Sequence, residues 1–218
     1  MKIFIAIPAY DSKIYSHTCT SLMMNKDRLI HDKHEVVVQF QNGNCYIEDA
    51  RNKLADTFLK SDCDCMIFVD ADVAFDDMAM AMLVATDKSI VGGAYPAKYQ
   101  NNPYPLSVIT DKDNKIVRDG NYFECNYLPT GLLKIHRGVF DRYKKAFPND
   151  IGGGIYPLYF QNKVTNEGVG FYGEDVYFCK KCREMGEKIW CYPNIDFEHI
   201  GTQAIKGNYY KYLKEACK

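Results

Sequence analysis

Met66-Ile67-Phe68-Val69-Asp70-Ala71-Asp72 is the stretch on which the fold turns. Four consecutive apolar residues fit a strand buried on both faces, as in a sheet covered by helices on each side. Such a strand delivers Asp70-Ala71-Asp72 at its carboxyl end. Acids placed there are costly unless they face solvent or a ligand, because a buried charge needs a partner.

Working outward, Ile3 to Ile7 and Glu35 to Phe40 read as strands. The first ends at Pro8-Ala9-Tyr10-Asp11 and the second at Gln41-Asn42-Gly43-Asn44, both loop-like. Between Tyr46 and Lys60, the residues Ile47, Ala50, Leu54, Ala55, Phe58 and Leu59 recur every three or four positions. That spacing predicts a helix, with Arg51 and Asn52 off its apolar face. Downstream, the pattern predicts a helix over Asp77 to Thr86, a strand over Ile90 to Gly93, a hairpin of Leu106 to Thr110 with Lys115 to Arg118, and a strand over Gly131 to Ile135. This alternation implies an α/β sheet flanked by helices, whose ligands bind beyond the carboxyl ends of the strands.

The 218 residues suit one domain with a substantial core, and no repeat or proline-rich linker divides them. A formal net charge of -1 gives no general attraction to nucleic acid or to anionic lipid. The opening apolar run is too short to span a membrane and lacks a cleavage site, so cytoplasmic residence is expected. Nine cysteines without a secretion signal predict reduced thiols. Cys179 and Cys182 have zinc-knuckle spacing, but Cys63 and Cys65 do not supply a matching second half. One helical turn apart, Cys179 and Cys182 read instead as part of a buried helix face.

Two carboxylates on one short turn, about 5 Å apart, repel by roughly 3 kcal/mol at an effective dielectric near 20. A hard divalent cation reverses that cost and bridges carboxylates to phosphates. An Asp-x-Asp triplet alone is weak, since solvated turns and helix caps also contain it. Its place after a buried strand is what favours a site.

The stretch Met66 to Asp72 resembles the signature of the GT-A glycosyltransferases, whose nucleotide-binding half ends a buried strand in Asp-x-Asp. Further similar segments are Pro8-Ala9-Tyr10, Ala50-Arg51-Asn52, Gly92-Gly93-Ala94-Tyr95-Pro96, Leu128-Pro129-Thr130-Gly131-Leu132-Leu133, Gly173-Glu174-Asp175-Val176-Tyr177-Phe178 and Phe197-Glu198-His199-Ile200-Gly201-Thr202. The resemblance implies a GT-A fold, with a Rossmann-like nucleotide-binding half, about residues 1–100, and an acceptor half, about 101–218, around a mixed central sheet. It implies transfer of a sugar from a nucleotide-sugar donor to a glycan hydroxyl, with Mn2+ or Mg2+ as cofactor.

Residue by residue, the resemblance puts Pro8, Ala9 and Tyr10 at the nucleobase, Arg51 at the base or diphosphate, and Asp70 and Ala71 at the nucleotide. Lys98 and Lys206 are further phosphate candidates. Thr130 and Gly131 line the donor-sugar and acceptor side, and Asp70, Asp72 and His199 hold the metal. Asp175 is the candidate base, with Glu174 beside it as an alternative or a ligand to sugar hydroxyls. The bland readings stand next to these: acids in a first helical turn complement the helix dipole, and a lone histidine is usually structural.

The compact length and the lysine- and tyrosine-rich make-up also resemble the glycosyltransferase domains that build capsid glycans in chlorella viruses. That likeness implies a UDP-sugar donor and further domains in a longer polypeptide. Two other functions compete. A sugar nucleotidyltransferase uses a similar sheet, but Ile7-Pro8-Ala9-Tyr10-Asp11-Ser12 has neither the glycine run nor the arginine of its phosphate loop. A non-catalytic glycan-binding module would use some of the 17 tyrosines and 12 phenylalanines as platforms for sugar rings.

Overall fold

The computed structural model describes residues 1–98, 103–150, 154–164, 170–201 and 204–216. The chain opens with β1 (Lys2–Ala9), α1 (Ser16–His31), β2 (Glu35–Asn42) and α2 (Ile47–Lys60). It continues through β3 (Cys65–Val69), β4 (Val73–Phe75), α3 (Ala79–Val84) and β5 (Ile90–Gly92), then β6 (Ser107–Val108), β7 (Arg118–Asp119) and β8 (Tyr122–Tyr127). After β9 (Leu132–His136) and α4 (Arg137–Ala146) come β10 (Lys163–Val164), β11 (Phe171–Tyr172), α5 (Glu174–Glu184) and β12 (Ile189–Cys191). β13 (Phe197–Ile200), β14 (Ala204–Gly207) and α6 (Tyr209–Ala216) follow.

The main sheet has the order β2-β1-β3-β9-β5-β12-β8-β6, with β7 also paired to β8. β1 runs parallel to β2 and β3, and β12 parallel to β5, whereas β9 is antiparallel to both β3 and β5. This inserted antiparallel strand is what builds the site. Because β9 runs backwards, its entry at Thr130-Gly131 meets the carboxyl end of β3, and the Asp70 N–H donates to the Gly131 carbonyl at 3.1 Å. β5 leaves the sheet at the same end, where the Gly93 N–H donates to the Leu132 carbonyl at 3.0 Å. A second, three-stranded sheet, β14-β13-β4, stands just beyond Asp72.

The core has two layers. Met66 and Phe68 of β3 enter one apolar cluster with Leu54, Phe58, Phe140 and Phe178, while Ile67 and Val69 enter another with Leu22, Leu29, Val73 and Trp190. β3 is therefore buried on both faces, as its unbroken apolar run requires. Cys179 and Cys182 are buried on α5, and the cysteines Cys19, Cys45, Cys63, Cys65, Cys125, Cys179, Cys182 and Cys191 are free thiols.

Several expectations need correction. β1 extends through Pro8 to Ala9, because the β3 pairing stops at Ala6 and Phe68 and leaves the proline on a one-sided stretch of strand. The helix expected over Asp77 to Thr86 is limited to Ala79–Val84. Lys115 to Arg118 does pair with the preceding strand, through an antiparallel bridge between Thr110 and Ile116, but β6 itself lies against β8. Arg51 and Asn52 are buried rather than off the apolar face, at 3% and 1% exposure. Asn52 is accommodated by two amide bonds to Phe160, Nδ2 to its carbonyl at 2.8 Å and Oδ1 from its N–H at 2.9 Å.

α1 has no counterpart in the sequence reading. Three of its five buried residues, Thr18, Ser21 and Asn25, are polar, which removes the apolar period. Ser21 accepts from the Phe75 N–H at 3.0 Å, and Asn25 bonds the backbone of Asp76 and Met80. These bonds fasten α1 along β4. Among the described residues no helix is long and apolar enough to cross a membrane.

Candidate active site

The carboxyl ends of β1 and β3 open into a cavity of about 460 Å3 lined by Pro8, Tyr10, Lys13, Tyr15, Ile47 and the triplet Asp70-Ala71-Asp72, among others. That volume lies in the range of small-molecule sites. Pro8, Tyr10, Asp70, Ala71 and Asp72 are thus brought together as the sequence suggests. Tyr10, at 68% exposure, and Tyr15, at 47%, leave large faces open to solvent at its mouth. Lys13, Ile14, Tyr15 and Ile47 were not foreseen. They flank the start of α1, whose existence the sequence did not disclose, and the start of α2.

Arg51 organises the acids behind this cavity. Its NH2 group donates to Asp70 Oδ1 at 2.9 Å and its Nε to Glu174 Oε1 at 3.1 Å. The guanidinium sits over the Phe68 ring at 5.3 Å, on the strand that carries Asp70. Burial opposes its charge, but Asp70 and Glu174 more than offset that effect and raise its pKa. Its NH1 atom has no hydrogen-bond partner among the described residues, and neither has the buried Thr130 hydroxyl.

Tyr95, quoted above within a motif but given no role, proves central. It is 5% exposed, donates from its hydroxyl to Asp70 Oδ2 at 3.2 Å, and accepts from the Gly131 N–H at 3.1 Å. Its ring meets the His199 ring edge-on at 4.9 Å. Burial first, then the neighbouring Asp70 charge, hold its pKa well above the usual tyrosine value, so the hydroxyl stays a donor.

His199 pairs with Val73 across β13 and β4, which places it beside Asp72. Its Nε2 lies 3.8 Å from Asp72 Oδ1, and its Nδ1 bonds the Pro96 carbonyl at 2.8 Å. A carbonyl only accepts, so Nδ1 carries the hydrogen and the Nε2 lone pair is left facing Asp72. Burial lowers the histidine pKa, and Lys98 adds to that effect against the Pro96 carbonyl. The Pro96 carbonyl is the kind of backbone acceptor that orients metal-ligating histidines, and it turns Nε2 toward Asp72. Lys98 itself contacts Asp72 Oδ2 at 2.5 Å, which puts a positive charge where a metal ion would neutralise Asp72.

Asp175, on the first turn of α5, completes the acidic group. Burial, followed by the Glu174 charge, pushes its carboxyl up to about 6, while the Val176 N–H and Arg51 pull the other way. Among the described residues, Asp70 and Glu174 pair with Arg51 and Asp72 pairs with Lys98, so these four acids, Asp175 included, outnumber their paired cations by two when all are ionised. Among the described residues no three His, Cys, Asp or Glu side chains enclose a metal site. The donor set fits a cation held at two protein points and completed by phosphate oxygens and water. Lys206 is not brought to this group; it pairs with Glu198 at 2.7 Å on the far face of β13.

No known family's sequence profile matches the chain, and no curated protein matches it. Among solved structures, residues 1–349 of S. aureus TarS in complex with UDP-GlcNAc superpose with a TM-score of 0.50 at 14% identity. The match takes 88% of this chain and 56% of that 1–349 fragment, and only 35% of the longer TarS chain, so this chain spans a minor part of the protein it resembles. A glycosyltransferase involved in glycosylation of the major capsid of PBCV-1 (TM-score 0.39, 8% identity, 69% of this chain and 68% of that one) and the inositol-1-phosphate CTP transferase of T. maritima (0.46, 12%, 91% and 88%) are weaker likenesses, and no conclusion rests on them. The TarS likeness identifies the architecture as GT-A-like: a mixed central sheet with helices on its faces.

Proposed function

We propose that the protein is a metal-dependent glycosyltransferase that moves a sugar from a nucleotide-sugar donor, taken to be a UDP-sugar, to a hydroxyl of a glycan. The observation that carries this is the meeting, at the carboxyl end of the sheet, of an excess of carboxylates with a His199 oriented by the Pro96 carbonyl, beside a ligand-sized cavity. The TarS likeness supports the same architecture. Every residue named as lining the cavity lies within the first hundred, in keeping with a nucleotide-binding half there.

Within this mechanism Pro8, Tyr10, Tyr15 and Ile47 hold the nucleoside, the two tyrosines and Ile47 offering apolar faces to it. Asp70, Asp72 and His199 are the residues that would hold Mn2+ or Mg2+. That cation supplies charge neutralisation for a departing diphosphate. Lys98, paired with Asp72, is the cation placed to meet a donor phosphate. Arg51 keeps Asp70 and Glu174 in place from behind the cavity. Asp175 accepts the proton of the attacking acceptor hydroxyl, a role suited to a carboxylate whose pKa is raised toward neutrality. The likeness in make-up to capsid-glycan enzymes of chlorella viruses makes a viral glycan the first acceptor to try.

Manganese-dependent release of UDP from UDP-sugars, measured with and without glycan acceptors, tests the proposal. Release that requires Mn2+ and is lost in Asp72→Ala supports it. Full activity in Asp72→Ala, or pyrophosphate release from a nucleoside triphosphate in place of UDP release, overturns it.

A further inference from the structure

A cavity larger than the one beside Asp70 lies elsewhere on the molecule. A cleft of about 730 Å3 lies between the first turns of α1 and the outer face of the β4-β13-β14 sheet. Side chains alternate across a strand. Ala74, Glu198 and Lys206 are directly paired and share this outer face, while His199, with Val73 and Ile205, points to the other. The cleft is thus separated from the proposed metal ligands by the thickness of one strand.

Its shape has a local cause. Ser21 and Asn25 clamp α1 to the backbone of β4 and of the turn after it, and Ala74 is too short to fill the space between helix and sheet. The walls are fixed by secondary structure on both sides.

Its chemistry is balanced. Glu198 accepts from Lys206 at 2.7 Å and meets His17 at 3.0 Å, and Asp196 accepts from Lys211 at 3.1 Å and from Asn208 at 2.9 Å. A phosphate entering here meets carboxylates, and a metal ion meets lysines, so neither charged class is favoured. Each paired carboxylate still has free lone pairs and each lysine free N–H groups. The lining therefore offers closely spaced acceptors and donors at little net charge, which is what a neutral ligand rich in hydroxyl groups requires. The small side chain of Ala74 leaves its floor open to a ring face.

We propose that this cleft is a second carbohydrate-binding site, which retains a neutral segment of the glycan acceptor away from the reacting residue. Occupation there raises the effective concentration of a polymeric acceptor without adding any group to the reaction. This deepens the glycosyltransferase reading and rests on it for the word acceptor, but carbohydrate binding in the cleft is testable alone.

The test uses the full chain saturated with UDP and Mn2+, titrated with cellotetraose, maltotetraose and chitotetraose by calorimetry and followed by amide chemical shifts. At least one of these oligosaccharides is expected to bind, with shifts at Thr20, Ala74 and Asn208. Thr20→Trp, a substitution at an exposed α1 position that fills the cleft, and Lys211→Glu are each expected to weaken binding by about tenfold or more, with UDP affinity unchanged. Two outcomes overturn the proposal: no binding by any of the three, or binding undiminished in both variants. Oligosaccharide binding without sugar transfer from any donor sinks the enzymatic proposal and leaves the site standing. Transfer without such binding does the reverse.

Discussion

The Tyr95 hydroxyl and the Asp70 carboxylate are 3.2 Å apart, and the same hydroxyl accepts the Gly131 N–H at 3.1 Å. One phenol therefore joins three separate segments: the end of β3, the exit of β5 and the entry to β9. With Arg51 holding the other oxygen of Asp70, the carboxylate is fixed at both ends. Such locking is how a site is kept in working geometry by residues that need not touch the reacting atoms.

Tyr95→Phe removes both bonds and leaves a carboxylate oxygen and a buried N–H unpaired, which costs about 1–3 kcal/mol. The melting temperature should fall by roughly 2–10 °C. Turnover should drop about tenfold or more, with UDP affinity nearly retained. Loss of UDP binding in step with turnover would instead make Tyr95 a nucleotide contact.

Gly131→Ala attacks the same junction from the other side. A Cβ there would stand 2.3 Å from the Tyr95 hydroxyl oxygen and 2.6 Å from the ring carbon that bears it, against a ring that is itself buried. Overpacking of this kind costs about 1–3 kcal/mol. Because both changes act through one hydroxyl, the double variant Gly131→Ala/Tyr95→Phe should lose less stability than the sum of the two single losses. Denaturant midpoints of the three variants measure this.

Arg51→Met tests the buried cation. Asp70 and Glu174 would keep their charges without a partner at 22% and 13% side-chain exposure. Removing one member of a buried ion pair costs about 3–5 kcal/mol. Urea unfolding should show a loss of that size. Arg51→Lys should recover only part of it, since an ammonium cannot serve two carboxylates in the fork geometry of a guanidinium.

What the sequence disclosed and what it hid follow from the kind of contact involved. β3 was legible because a strand buried on both faces is apolar throughout, and the positions of Asp70 and Asp72 followed from it. α1 was hidden because Ser21 and Asn25 face inward to satisfy backbone groups of its neighbours, which breaks the apolar period. Arg51 was misread for a related reason: its charge suggests solvent, while Asp70 and Glu174, 19 and 123 residues further along, are what let it be buried. Tyr95 was visible only as part of a Gly-Gly-Ala-Tyr-Pro segment. Its role depends on β9 lying between β3 and β5, and strand order is not carried by local pattern.

The pH dependence bears on Asp175. Its carboxyl titrates near 6 in the folded protein and near 3.8 when unfolded, so between those values the folded state binds more protons. Stability then falls as pH rises through that window, by about 3 kcal/mol at pH 7. Asp175→Asn removes this penalty, so the variant should be more stable than the parent at pH 8, with the advantage vanishing near pH 3.5. Turnover should respond in the opposite sense. A general base must be ionised, so the parent's kcat/KM should rise with pH through an apparent pKa near 6, and Asp175→Asn should lose most of its activity along with that acid limb. Together these outcomes mark a carboxylate kept at a cost to folding because the reaction uses it. An active Asp175→Asn variant with an unchanged acid limb would move the base to another residue, with Glu174 the first to substitute.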